Sequence, residues 1–171
     1  MPETDRVQNG MNEGVYEITV APSDPNRIYM AVKGRIFRSD DRGAHFRDIA
    51  AAILFPTGFD PNSPFRFAGP FMAVSPADPD LVLFGTPGDG LWRTADGGAT
   101  WARVASVPGA LAGDGRPGGR DAQGILIWFE PAQGGRPARI LALSPGQGVF
   151  VSQDGGLTFA PDVTGPKRLT Q

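Results

Sequence analysis

The sequence contains no cysteine and only one histidine among its 171 residues. Disulfide bonds, thiol chemistry and cysteine-bound metals are therefore excluded. A single imidazole also excludes a metal site built from several histidines. We accordingly expect no metal and no cofactor.

Long hydrophobic runs and an excess of positive charge are also missing. No stretch is long enough to cross a membrane, and the start, MPETDRVQNG, lacks the apolar core of a signal peptide. The net charge is −2 and the arginines are scattered, so no basic groove is predicted. We expect neither a membrane nor a nucleic acid as partner. The compartment stays open: the chain could be cytoplasmic or a piece of a longer exported protein.

Glycine and proline are abundant instead, with 24 and 17 residues. They fall at regular intervals between short apolar runs, which indicates many turns. The runs are rich in Val, Ile, Phe and Leu and favour β-strands. Helix is scarce, since only DIAAAILF (residues 48–55) could form a turn or two.

One eight-residue pattern occurs three times, as SDDRGAHF (39–46), TADGGATW (94–101) and SQDGGLTF (152–159). We call these the first, second and third box. Each has a hydroxyl first, an aspartate third, a glycine fifth and an aromatic last, and the aspartates are 55 and 58 residues apart. Such a period indicates a repeat architecture. The pattern residues are Ser39, Asp41, Gly43, Phe46, Thr94, Asp96, Gly98, Trp101, Ser152, Asp154, Gly156 and Phe159.

The box chemistry predicts a structural turn. The carboxylate can accept N–H groups of its own turn, the hydroxyl can bond back across it, and glycine tolerates backbone angles that a Cβ resists. The aromatic ring can be buried between strands. His45 replaces the threonine of the other boxes, and we predict a turn residue with a partly exposed ring.

Four strands are predicted in each repeat, and four-stranded antiparallel units at this period are typical of β-propeller blades. We therefore predict an all-β fold with three four-stranded antiparallel blades, as a partial propeller or a segment of a larger one. The single propeller segment spans 1–171, with blades near 14–50, 70–105 and 123–163. The predicted strands are 16–20, 27–32, 35–39 and 46–49; 71–75, 81–85, 90–94 and 101–104; and 125–130, 139–144, 148–152 and 158–161.

The boxes resemble Asp-box (BNR) repeats, and the chain resembles the sialidase-type propeller superfamily. Within it, the chain is most similar to xyloglucan-cleaving glycoside hydrolases with tandem seven-bladed propellers. The resemblance rests on residues 21–46, 71–104 and 148–159 and extends over most of 14–163. It implies a polysaccharide or glycan as partner and a family that is often extracellular. Sortilin-type receptors and photosystem assembly factors share the motif.

The catalytic residues of the resembling families do not carry over. The arginine cluster and the tyrosine–glutamate pair of sialidases have no matching set around Arg35, Tyr16 or Tyr29, and we expect both tyrosines in the core. In the xyloglucanases one catalytic aspartate ends a Tyr-Ala-Arg-Thr-Asp-like segment, where this chain has Lys33. The other aspartate belongs to a second propeller. We therefore expect a carbohydrate-binding or scaffolding segment that is not an enzyme by itself. An active glycoside hydrolase fragment acting on a polysaccharide and a protein-binding propeller are the alternatives.

Glycoside hydrolysis normally needs two carboxyl groups about 5–9.5 Å apart. The end of the blades opposite the boxes offers Asp89 as the best catalytic candidate, because a tight glycine-flanked turn would hold it near the propeller axis. Long loops at 50–69 and 105–123 also reach this end. They contribute the weaker candidates Asp60, Asp114 and Asp121, and four aromatics that could stack on sugars or cover a blade face: Phe55, Phe59, Phe65 and Phe67.

Three blades cannot close a ring, since closed propellers have at least four. Both end faces of an open arc would be apolar. We expect further blades or a second copy to complete the ring, two copies giving six blades.

Overall fold

The computed structural model describes residues 15–32, 35–49, 68–86, 88–111, 123–135 and 138–163. These residues form three four-stranded antiparallel sheets and no helix. The prediction of an all-β fold with three four-stranded propeller blades is confirmed. In the described part of the chain, no helix has the length and apolar character needed to cross a membrane.

Each sheet is built from consecutive strands in chain order, from the first to the fourth. The first sheet contains β1 (Val15–Ala21), β2 (Asp24–Val32), β3 (Arg35–Ser39) and β4 (Arg47–Asp48). The second contains β5 (Met72–Val74), β6 (Val82–Thr86), β7 (Gly90–Thr94) and β8 (Ala102–Val104). The third contains β9 (Leu126–Glu130), β10 (Arg139–Ser144), β11 (Gly148–Ser152) and β12 (Ala160–Pro161).

Strand ends differ from the sequence prediction in eight of the twelve strands, by one to three residues. β2 begins at Asp24 and not at residue 27, because Asp24 pairs with Ala21 across an irregularity in the ladder. The outer strands β4 and β12 keep only two residues each. The predicted helical turn at 48–55 begins in extended chain: Asp48 belongs to β4, and the Ile49 N–H donates to Ile36 O at 2.9 Å. Residues 50–55 lie outside the described part.

The first strands of the three sheets are neighbours, since β1 contacts β5 and β5 contacts β9. The Ile127 N–H donates to Pro70 O at 3.0 Å and ties the third sheet to the segment entering the second. In this order β1, β5 and β9 lie innermost and β4, β8 and β12 outermost, as in propeller blades.

Two apolar cores hold the sheets together. The first joins sheets one and two and contains Tyr16, Tyr29 and Phe84. The Tyr16 ring stacks on Phe71 with centroids 5.2 Å apart, and the Tyr29 hydroxyl donates to Pro79 O at 2.7 Å. The second core joins sheets two and three. Both tyrosines are therefore buried packing residues.

Candidate functional site

The three box hydroxyls occupy equivalent buried positions at the end of β3, β7 and β11. Each oxygen accepts the N–H of the box glycine at 2.9 Å. Each hydroxyl also donates to its box aspartate, at 2.8 Å in the first box and 2.7 Å in the other two. The hydroxyl thus gives the glycine N–H a hydrogen-bond acceptor. In the second and third boxes this hydrogen bond is buried, where an unpaired N–H would be costly.

The three box carboxylates are bound within their own turns. Oδ1 accepts the N–H of the residue four positions on, at 2.9, 2.9 and 3.0 Å. Oδ2 contacts the side chain of that same residue. The partners are Thr100 Oγ1 at 2.5 Å, Thr158 Oγ1 at 2.6 Å and, in the first box, His45 Nδ1 at 2.6 Å.

These contacts stabilise the charged carboxylates. Hydrogen bonds from the Thr100 hydroxyl and N–H hold the pKa of Asp96 at about 2. The His45 N–H, then the His45 ring and Ser39, lower the pKa of Asp41 to about 2. Thr158 places the pKa of Asp154 still further below its usual range. A carboxyl group ionised so firmly is a poor general acid at neutral pH.

His45 has an almost fully exposed ring, with 90% of the side chain accessible. The ring is more exposed than the partly exposed one we predicted. The ring contacts Asp41, in the place that a threonine hydroxyl fills in the other boxes. Among the described residues no group of three His, Asp or Glu side chains could hold a metal.

The box aromatics lie at different depths. Phe159 is buried in the second core and Trp101 packs against the first. Phe46 is half-buried, and a Cβ on Gly43 would lie 3.7 Å from its ring. The glycines at the fifth position, Gly43, Gly98 and Gly156, all have positive φ.

Asp89 lies at the opposite end of the sheets, in the turn between β6 and β7. Its N–H donates to Thr86 Oγ1 at 3.0 Å, and the Thr86 hydroxyl donates to Gly90 O at 2.9 Å. Arg103 Nε donates to the Asp89 carbonyl at 2.9 Å. Three bonds therefore fix the backbone of this turn, in which Asp89 is half-buried.

Glu17 is a second carboxylate near this end, and the sequence analysis missed it. It pairs with Ala31 close to the end of β2, and its Oε2 accepts the Phe71 N–H at 3.1 Å. Burial raises the pKa of Glu17, while the N–H groups of Phe71 and Ile18 offset part of the shift. An acidic residue inside the apolar strand VYEITVA was the available signal.

One further sequence candidate, Arg35, lies within the described residues. Arg35 is exposed and pairs with Asp48, with Nε and Oδ2 2.8 Å apart. The remaining ones lie outside the described residues: Lys33, Asp60, Asp114, Asp121, Phe55, Phe59, Phe65 and Phe67.

A cavity of about 430 Å³ lies at the box end between sheets two and three, and Leu81, Phe129 and Ile140 are among its lining residues. The junction between sheets one and two is different at the equivalent place, because Arg27 there forms ion pairs with Asp40 and Asp80. Leu81 is the equivalent of Arg27 in the second sheet, because each residue comes directly before the one that pairs with the box hydroxyl residue. The second junction is therefore apolar where the first is charged.

Comparison with known proteins gives one consistent result. A xyloglucanase from Paenibacillus sp. is 33% identical over 166 residues, covering 85% of this chain and 16% of the relative. Xyloglucanase Xgh74A from Acetivibrio thermocellus is 30% identical over 176 residues, covering 91% and 20%. The crystal structure of the GH74 xyloglucanase from Xanthomonas campestris matches with a TM-score of 0.71 and 30% identity, covering 93% of this chain and 25% of that one.

The chain is a propeller segment related to glycoside hydrolases. No protein-family model matches it. This glycoside hydrolase-related segment spans a fifth or less of the length of these two curated relatives. The similarity extends over most of the segment.

Proposed function

We propose that this segment binds a polysaccharide of the xyloglucan class, or scaffolds such a site, and is not catalytic by itself. The boxes act as structural turns of the Asp-box kind. The observation that carries the proposal is the state of the box carboxylates, each of which is bound by its own turn. The names of the relatives supply the ligand class. The proposal includes closure of the ring, by further blades or by a second copy.

Asp89 is the residue we assign to the ligand-facing end. Its backbone is held by Thr86 and Arg103, so a ligand that binds this turn would need to order little of the chain. Hydrolysis would need a second carboxyl group nearby. Glu17 is another carboxylate near this end, and its Oε2 accepts the Phe71 N–H.

Affinity electrophoresis in xyloglucan gels, with a dextran gel as comparison, tests the binding. We expect retardation in xyloglucan, weaker retardation for Asp89→Asn, and no change for Asp78→Asn. Asp78 is the matched control, because it is an exposed turn aspartate at the box end. Equal retardation of all three proteins in both gels would contradict the proposal.

A reducing-sugar assay on the same polysaccharide separates binding from catalysis. We expect no release of reducing ends. Release that disappears in Asp89→Ala would instead establish the enzyme-fragment alternative. Absence of both binding and release would favour a protein-binding propeller.

A further inference from the structure

The junctions between neighbouring sheets differ at one place near the boxes. We call the contact between sheets one and two the first junction and the contact between sheets two and three the second junction. In the first junction Arg27 Nη1 donates to the Tyr29 hydroxyl at 3.3 Å. Arg27 also forms ion pairs with Asp40 and Asp80. Its side chain is only 13% accessible, so a connected polar network fills this place.

Each member of this network has a smaller apolar equivalent in the second junction. The equivalence follows from the strand ladders, in which Ile28, Val82 and Ile140 each pair with a box hydroxyl residue. Counting from these pairs, the equivalents are Leu81 for Arg27, Leu83 for Tyr29, Ala95 for Asp40 and Ala138 for Asp80. The whole network is therefore replaced at once, and none of the replacements has a polar side chain.

Two equivalent glycines show the space that these replacements leave. Gly97 and Gly155 each follow a box aspartate and have φ angles of 67° and 72°. A Cβ on Gly97 would lie 2.2 Å from Arg38 Nη1 and 2.5 Å from Asp80 Oδ1. A Cβ on Gly155 would meet no atom within 4 Å. The place that is densely filled in the first junction is therefore open in the second.

This open place belongs to the cavity of about 430 Å³ at the box end of the second junction. The volume falls within the roughly 300–1,000 Å³ of typical small-molecule sites. Leu81, Phe129 and Ile140 are part of the lining, together with Pro76 and Pro131. Leu81 directly precedes β6, and Phe129 and Ile140 lie in β9 and β10. Two neighbouring blades thus build an apolar cavity between them.

The charged groups at this cavity are paired. In the described lining they are Glu130 and Arg139, which form an ion pair with each other. The Ser152 hydroxyl is bonded within its own box. A charged ligand would therefore lose its hydration without gaining a free partner, and sugar hydroxyls would also leave water for a largely apolar wall. An uncharged ring gains from burial here, and Phe129 offers an aromatic face for stacking.

We propose that this cavity binds an uncharged small molecule that carries an aromatic ring. The ring lies between Leu81 and Ile140 and packs against Phe129. The apolar area that it removes from water supplies the affinity. The cavity is at the end of the blades opposite Asp89, so it is separate from the proposed polysaccharide site. Binding here is independent of polysaccharide binding, and both sites can be occupied together.

Fluorescence titration with N-phenyl-1-naphthylamine tests the site, because this uncharged probe becomes brighter in apolar surroundings. We expect saturable binding to the chain. Indole, a smaller uncharged ring, should displace the probe, whereas xyloglucan oligosaccharides should not. Absence of saturable binding, or displacement of the probe by the oligosaccharides, would overturn the proposal.

The variant Ala138→Phe fills the cavity with a ring from the chain itself. Ala138 is an exposed residue of the lining and the equivalent of Asp80, whose side chain reaches Arg27 across the first junction. We expect this variant to lose probe binding. Ala44→Phe is the matched control and should retain it, because Ala44 is another exposed alanine at the box end but lies in the first box. Thermal unfolding checks that both variants are folded. Undiminished binding by Ala138→Phe would contradict the proposed site.

Methyl NMR of the unaltered chain with added indole gives a readout that needs no variant. We expect shifts of the Leu81 and Ile140 methyl signals, since both residues line the cavity. The signals of Ile36 and Leu91, which are fully buried in the two cores, should stay in place. Shifts confined to other methyl groups would overturn the proposal. Probe binding and methyl shifts are both read without polysaccharide, so their failure is distinguishable from a failure of polysaccharide binding.

Discussion

Arg93 Nε donates to the backbone carbonyl of Gly155 at 2.8 Å, across the boundary between the second and third sheets. The bond joins a strand residue to the turn of the next blade, 62 positions further along the chain. Arg38 makes the same contact one sheet earlier. The box turns therefore hold neighbouring blades together as well as closing their own hairpins.

Replacing Arg93 with methionine should destabilise the protein by about 1.5–3 kcal/mol, because a charged donor to a half-buried carbonyl is lost. Arg47→Met is the control. Arg47 is 61% exposed and pairs with Asp40 at 3.4 Å, a surface contact worth roughly 0–1 kcal/mol. Urea unfolding measures both. Equal urea midpoints for Arg93→Met and Arg47→Met would show that the contact between Arg93 and Gly155 contributes nothing.

Thr94→Val should cost roughly 1–3 kcal/mol, since the buried Gly98 N–H loses its acceptor. Valine has the shape of threonine, so packing changes little. Thr94→Ser retains the oxygen and should recover most of the loss. Thermal unfolding of the three proteins checks this, and a Thr94→Val melting temperature equal to that of Thr94→Ser would refute it.

Gly98→Ala should be more destabilising than Gly155→Ala, although both glycines have positive φ. At Gly155 an added Cβ meets nothing within 4 Å, so the cost is the backbone strain of about 1–2 kcal/mol. At Gly98 the Cβ would lie 2.3 Å from Ile49 Cδ1. Ile49 must then move against the first core. Denaturant titration of the two variants measures the difference. A larger loss of unfolding free energy in Gly155→Ala than in Gly98→Ala would contradict the packing argument.

Stability should fall as the pH drops from about 4 toward 2. The pKa of Asp96 is about 2 in the folded protein against 3.8 for the ordinary carboxyl. In this interval the unfolded chain binds more protons, so acid favours unfolding. Asp96→Asn should flatten the slope and lower the melting temperature at pH 7, with Asp78→Asn as control. Parallel pH profiles for wild type and Asp96→Asn would exclude this contribution.

Much of the architecture could be predicted from local patterns. The apolar runs at β3, β7, β10 and β11 have the same bounds in the prediction and in the structure. The all-β propeller class followed from repeated strands and turns. Strand ends were less predictable, because β2 extends through its pairing of Asp24 with Ala21, a contact made between strands.

The candidate site was only partly predictable. Asp89 lies in the expected turn, whose geometry comes from neighbours such as Thr86 and Gly90. Glu17 was missed because its role depends on Phe71, a residue 54 positions away. The exposure of His45 also exceeds the prediction.

The sequence by itself determined where the chain turns and which stretches become strands, because these depend on residues within a few positions of one another. Hydroxyl, carboxylate and glycine recur at fixed spacing, and each box closes through bonds between residues two to four positions apart. Only the tertiary structure decided which face of each sheet is covered and which arginine reaches a neighbouring turn. Those contacts join residues more than fifty positions apart, and their existence depends on how the sheets stack.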